Sequence, residues 1–136
     1  MKFKSHVIKG GQAEGEAIVL KTSFSFVGDL DILTGNGNGR HELSGHNIAG
    51  KILVFPNGRG TTAAAMAGYW VKKLGKLPAG MICRKADPVA ALNAIMNDFV
   101  LMDRPEIDPL TAIKTGDFVK MDGETGTIEV IQQIID

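Results

Sequence analysis

Apolar and polar positions along this chain alternate between runs, helical spacing and glycine-rich breaks. Ile52 to Phe55 (ILVF) is apolar without interruption and predicts a buried strand, which Pro56 and Gly58 end. Ala63 to Leu74 has helix-forming composition, with Met66, Trp70 and Leu74 recurring on one face. Ala79 to Cys83 (AGMIC) predicts a further strand. Pro88 to Asn97 (PVAALNAIMN) predicts a helix with proline in its first turn and Asp87 as N-cap, and Phe99 to Met102 returns as a short strand before Pro105. At the ends, Lys2 to Ile8 and Glu16 to Leu20 fit two strands joined through a segment containing Gly10, Gly11 and Gly15. Phe118 to Met121 and Thr127 to Ile131 fit a hairpin closed by DGETG. Two β-rich ends thus bracket a βαβαβ middle, which sets the fold class as α/β. Thr34 to Gly50 (TGNGNGRHELSGHNIAG) is a glycine- and asparagine-rich loop without the GK[ST] ending of a phosphate loop.

Composition narrows the possibilities. The 136 residues with 44% hydrophobic content suit one domain over residues 1–136 with its own core. Fifteen Lys and Arg balance fifteen Asp and Glu, so no long-range field recruits nucleic acid or an anionic membrane. Cys83 stands alone, which excludes an internal disulfide and, by itself, a zinc or iron–sulfur site. MKFKSHVIKG lacks the apolar core of a signal peptide, and no run approaches the roughly 20 apolar residues of a membrane span, so a cytoplasmic location is expected.

The segment that carries chemistry is Lys51 to Leu74 (KILVFPNGRGTTAAAMAGYWVKKL), a strand, a glycine turn with one arginine, two threonines and a helix. The unpaired N–H groups of a helix's first turn favour a carboxylate or phosphate, and glycine lets a ligand approach the backbone. Arg59 adds a planar fork able to grip a carboxylate with two hydrogen bonds. The same residues also fit a plain connector, with Thr61 or Thr62 as N-cap, Gly58 and Gly60 shaping the turn and Arg59 on the surface.

Taken in order, GQAEGEAIVL (11–20), SFSFVGDLDILTG (23–35), GKILVFPNGRGT (50–61), LPAG (77–80) and DGETG (122–126) resemble the small, swivelling subunit of the aconitase X family, over about Gly11 to Ile128. The resemblance implies a swivelling β/β/α domain. It also implies a two-subunit hydro-lyase that dehydrates a small hydroxylated carboxylate such as mevalonate 5-phosphate or cis-3-hydroxy-L-proline. A large subunit would carry the iron–sulfur cluster and most substrate contacts, this chain would bind no cofactor, and the isolated chain would be inactive. The family's GRGS turn falls on Gly58, Arg59, Gly60 and Thr61, so Thr61 takes the place of the serine assigned as proton acceptor. Asn57, Gly58, Arg59, Gly60 and Thr62 would handle the anionic end of the substrate. Dehydration needs a base for the proton beside the carboxylate, and a hydroxyl serves only where a fixed positive potential stabilises its alkoxide. Two departures stand out. Thr61 adds a methyl group to the reacting hydroxyl, and Gly28-Asp29-Leu30-Asp31 replaces a paired glycine before an aspartate.

The remaining polar residues carry plainer expectations. His41 and His46 read as solvated loop histidines, His6 as structural and Cys83 as a small core hydrophobe. Asp98, Asp103 and Asp108 read as caps or solvated turn residues. Phe24 and Phe26 fit either exposed anchors for a partner or core packing. Two alternatives to the hydro-lyase follow: a stand-alone small-anion-binding module built on Arg59, and a structural or regulatory subunit that docks through Phe24, Phe26 and Trp70.

Overall fold

Three parallel strands with a helix in each connection form the middle of the molecule, in a computed structural model that describes residues 1–39, 41–59 and 62–132, with backbone only for 62–65. They are β4 (Ile52–Phe55), α1 (Thr62–Lys73), β5 (Gly80–Cys83), α2 (Pro88–Asn97) and β6 (Val100–Asp103). Ahead of them lie β1 (Lys2–Lys4), β2 (His6–Lys9) and β3 (Gln12–Val19), and after them α3 (Pro109–Ala112), β7 (Phe118–Asp122) and β8 (Thr127–Ile131). The sheet order is β1-β8-β7-β3-β4-β5-β6-β2.

Strand β3 joins two halves of different character. Its first residues, Gln12 to Glu16, pair antiparallel with β7, while Ala17 to Val19 pair parallel with β4. The predicted strand from Lys2 to Ile8 is split at Ser5. β1 pairs with β8 at one edge and β2 with β6 at the other, so β2 and β3 follow one another without pairing. The predicted β7–β8 hairpin is present with its register running from Asp122 opposite Thr127 to Phe118 opposite Ile131. α3 was not legible in the sequence. Its four residues follow Asp108, whose carboxylate accepts the Leu110 N–H at 3.1 Å.

The uninterrupted apolar run of β4 has a structural reason: each of its faces meets a core. Leu53 and Phe55 join Met81, Cys83 and Leu101 in one cluster beneath α1, α2 and the 23–49 segment. Ile52 and Val54 join Ile82, Val100 and Met102 in the other, closed by Phe3, Ile113, Val119 and Ile128. Helix α1 presents Ala67, Gly68 and Val71 inward, whereas the predicted stripe of Met66, Trp70 and Leu74 faces solvent. Phe24 and Phe26 are core residues, in edge contact with each other and with Phe55 or Phe99 close by, which removes them as docking anchors. The glycine-rich loop packs onto the core through several of its described residues. Leu43 and Ile48 are fully buried, and Asn47 Nδ2 donates to Thr34 O at 2.7 Å and to Asn36 Oδ1 at 2.9 Å.

Candidate functional site at the carboxyl end of the central strand

The parallel strands end together, and the turn after β4 lies among their carboxyl ends, where open α/β sheets place ligands. The backbone of the turn is held on both sides. Pro56 O accepts N–H groups from Arg84 and Lys85 at 3.0 and 3.3 Å, just past β5. On the other side Phe24 runs parallel to Gly58: Phe24 N donates to Asn57 O at 3.2 Å and Arg59 N donates to Phe24 O at 3.0 Å. Glycine at 58 makes room for Asp87, because a Cβ there would overlap Asp87 Oδ1 unless that side chain swung away. Asn57 is exposed, Gly58 half-buried and Arg59 exposed. Gly60 and Thr61 lie outside the described residues, and Thr62 is described only as the backbone that starts α1.

Arg59 is oriented by the segment 23–29 rather than by its own turn. Its guanidinium donates through one terminal nitrogen to Ser23 O at 2.8 Å and reaches Ser23 Oγ at 3.3 Å, while the other forms an ion pair with Asp29 Oδ1. The Asp29 side chain is 4% exposed and that of Arg59 47%, so a buried carboxylate fixes an arginine that stays about half in solvent. Asp29 Oδ2 accepts the Ser25 N–H at 2.8 Å. His41 Nε2 stands 3.3 Å from the same oxygen, without the alignment of a hydrogen bond. Leu43 N donates to His41 Nδ1 at 3.2 Å, which places the ring proton of a neutral imidazole on Nε2, facing Asp29. His41 is therefore a packed member of this cluster, not a solvated loop residue; His46 is exposed as expected. Gly28, with φ +89°, makes the bend that turns Asp29 inward.

Behind the turn is a cavity of about 20 Å³, walled by Phe24, Phe26, Phe55, Met81 and Phe99, with Arg59 and Asp87 among its polar lining. Its size suits one water molecule and no substrate, so any anion meeting Arg59 does so from outside the fold. Asp87 stands at the expected N-cap of α2 but makes no capping hydrogen bond, and among the described residues its buried Oδ1 has no hydrogen-bond partner.

Electrostatics bind the neighbouring loop into place. Glu42 accepts the Lys21 N–H at 3.0 Å and the Thr22 N–H and hydroxyl at 2.8 and 2.6 Å. Burial alone raises its pKa, but these hydrogen bonds, with a small contribution from the neighbouring His41, outweigh that and hold it below the ordinary 4.5.

Other candidates resolve as structural. Asp103 is buried, with His6 Nδ1 at 2.7 Å from Oδ1 and the Ala86 N–H donating to Oδ2 at 3.0 Å; it is neither a cap nor solvated. Asp108 caps α3 and takes a two-pronged bond from Arg84 at 2.9 Å on each oxygen. Asp98 ends α2 in the left-handed conformation and pairs with Lys9 at 2.8 Å. Burial, helped by the charges of Asp103 and Asp87, pushes the Cys83 thiol up to about 12, the opposite of an activated nucleophile or metal ligand. Among the described residues no group of three or more His, Cys, Asp or Glu side chains is placed to hold a metal ion.

Sequence reasoning found the Arg59 turn but not its tether. Asp29, His41 and Ser23 lie 18 to 36 residues away from Arg59, and no local spacing signals their convergence. The one signal in the sequence was the GDLD segment (28–31), which departs from the pattern of the family it resembles.

Comparison with known proteins matches residues 2–130 to the model of the aconitase X swivel domain. Two relatives described as phosphomevalonate dehydratase small subunit come from Methanocella arvoryzae, 42% identical over 96% of this chain and 99% of the relative, and from Thermococcus kodakarensis, 38% identical over 97% and 98%. A crystal structure described as Thermococcus kodakaraensis aconitase X, holo-form, superposes with a TM-score of 0.88 at 37% identity, covering 97% of this chain and 99% of that one. A solution NMR structure of a UPF0107 protein superposes at 0.86 with 36% identity over 97% and 100%. With the matched model spanning nearly the whole length and solved relatives superposing at TM-scores of 0.88 and 0.86, the chain belongs to the aconitase X swivel-domain family.

Proposed function

We propose that this chain is the small subunit of a two-subunit dehydratase that removes water from mevalonate 5-phosphate. The observation that carries the reading is Arg59, anchored by Asp29 and Ser23 yet still half exposed, at the carboxyl end of the parallel strands. An arginine held in this way meets a carboxylate without first losing its own conformational freedom, so its positive charge is spent on the substrate and on the enediolate-like charge that develops there. Thr61, at the position of the family's proton acceptor, takes the proton beside the carboxylate, with Asn57, Gly58, Gly60 and Thr62 shaping the approach. Loss of hydroxide needs an acid that these residues do not supply and falls to the large subunit, which also holds the iron–sulfur cluster. The name shared by full-length relatives favours mevalonate 5-phosphate over cis-3-hydroxy-L-proline. Heterodimer formation in the cytoplasm completes the reading; no helix among the described residues is long and apolar enough to cross a membrane.

The test is reconstitution with the large subunit of the same organism and an assay of water loss from mevalonate 5-phosphate. Arg59→Ala is expected to lower kcat/KM by about 10²- to 10³-fold, and Thr61→Ala to lower kcat by a similar factor while KM holds. An active complex in which both variants keep wild-type kinetics would overturn the assignment of the turn. A pure complex with no dehydration of this substrate would overturn the activity.

A further inference from the structure

Helices α1 and α2 pack tightly against each other: Gly68 sits where a Cβ would overlap Asn93, and Asn97 Nδ2 donates to Asn93 Oδ1 at 3.0 Å. Their outer faces are unusual for surface helices. α1 exposes Met66, Tyr69 and Trp70, and α2 exposes Leu92, Ile95 and Met96, each at least 42% accessible. Together these six leave on the order of 700 Å² in water. Summed over the two helices, that is of the order of the roughly 800 Å² that one partner gives to a standard interface. The polar residues that normally cover such faces are missing: across TAAAMAGYWVKK and PVAALNAIMN the only charges are Lys72 and Lys73.

We infer that this two-helix face is the surface on which the large subunit seats, an inference that rests on the two-subunit reading above. Continuity supports the choice of occupant. α1 begins directly after the Arg59 turn, and Val89, Ala90 and Asn93 of α2 line the cavity behind it. The starts of both helices therefore lie beside Arg59, so a body that receives Arg59 into its own substrate cleft stands next to this face. The partner surface that fits is apolar, with carboxylates at the rim facing Lys73, which lies 5.9 Å from the Tyr69 ring centre.

Trp70 is the only tryptophan of the chain and reports on the face directly. With 5-fluorotryptophan in the small subunit, its single ¹⁹F resonance is expected to shift when the large subunit is added, and to stay independent of concentration in the large subunit's absence. Ile95→Glu and Met96→Glu, both on solvent-facing positions, are expected to keep the wild-type melting temperature and to weaken association by roughly 30-fold or more. Leu33→Glu, equally exposed but in the 23–49 segment, should stay within about two-fold of wild type. An unmoved resonance in a complex that forms and dehydrates would overturn the docking face and leave the activity standing. So would either helix variant assembling as tightly as wild type, or a resonance that shifts with concentration in the absence of the large subunit. A complex that covers Trp70 but fails to dehydrate mevalonate 5-phosphate would uphold the face and overturn the activity.

Discussion

Removing the Asp29 carboxylate should loosen both the fold and the presentation of Arg59. In Asp29→Ala the Ser25 N–H loses its 2.8 Å acceptor, and Ser25 is 5% exposed, so water does not replace it freely. An unsatisfied buried amide costs about 1–3 kcal/mol. The lost ion pair adds less than the 3–5 kcal/mol of a fully buried pair, because the half-exposed guanidinium regains water; about 1 kcal/mol is appropriate for such a contact. The total is about 2–4 kcal/mol. For a chain of 136 residues, each kcal/mol moves the melting temperature by about 3 °C, so the variant should melt about 6–12 °C lower. Urea unfolding followed by circular dichroism gives the free energy, and Asp29→Asn separates the two contributions. Its amide oxygen still accepts from Ser25 while the charge is gone, so it should lose about 1 kcal/mol only. A double-mutant cycle with Arg59→Ala should return a coupling energy of about 1 kcal/mol. A loss below about 0.5 kcal/mol for Asp29→Ala, or strictly additive effects with Arg59→Ala, would refute the claim that the buried carboxylate positions the arginine.

Two further outcomes follow from the same neighbourhood. Glu42→Gln removes the charge that clamps Lys21 and Thr22. Because the folded-state pKa lies below the ordinary 4.5, the stabilisation is complete above that value and fades as pH falls through the folded pKa. Wild type should thus be more stable than the variant by on the order of 1 kcal/mol at pH 7, with the gap in urea midpoints closing below about pH 4.5; a gap constant from pH 7 to 3.5 would rule this out. Gly58→Ala places its methyl group where Asp87 Oδ1 sits, so the Asp87 side chain must swing away at a cost of about 1 kcal/mol, readable as changed amide shifts at Asp87 and Ala90; unchanged shifts there would contradict the close packing of Gly58 on Asp87.

The sequence by itself determined the alternation of the middle segment. The unbroken ILVF and the apolar AGMIC required strands buried on both sides, and Pro56, Gly58 and Pro88 fixed where strands end and helix α2 begins, because these signals act within a few residues. The Arg59 turn was visible for the same reason. Tertiary structure alone decided what Arg59 touches, since Ser23 and Asp29 reach it from across a loop whose path no period encodes. It also decided the inward turn of Phe24 and Phe26 and the division of Lys2 to Ile8 between opposite edges of the sheet. The stripe of Met66, Trp70 and Leu74 shows the limit most plainly. Helical spacing reveals that such residues share a face, but only packing reveals that Gly68 and Val71 took the interior and left that face to water.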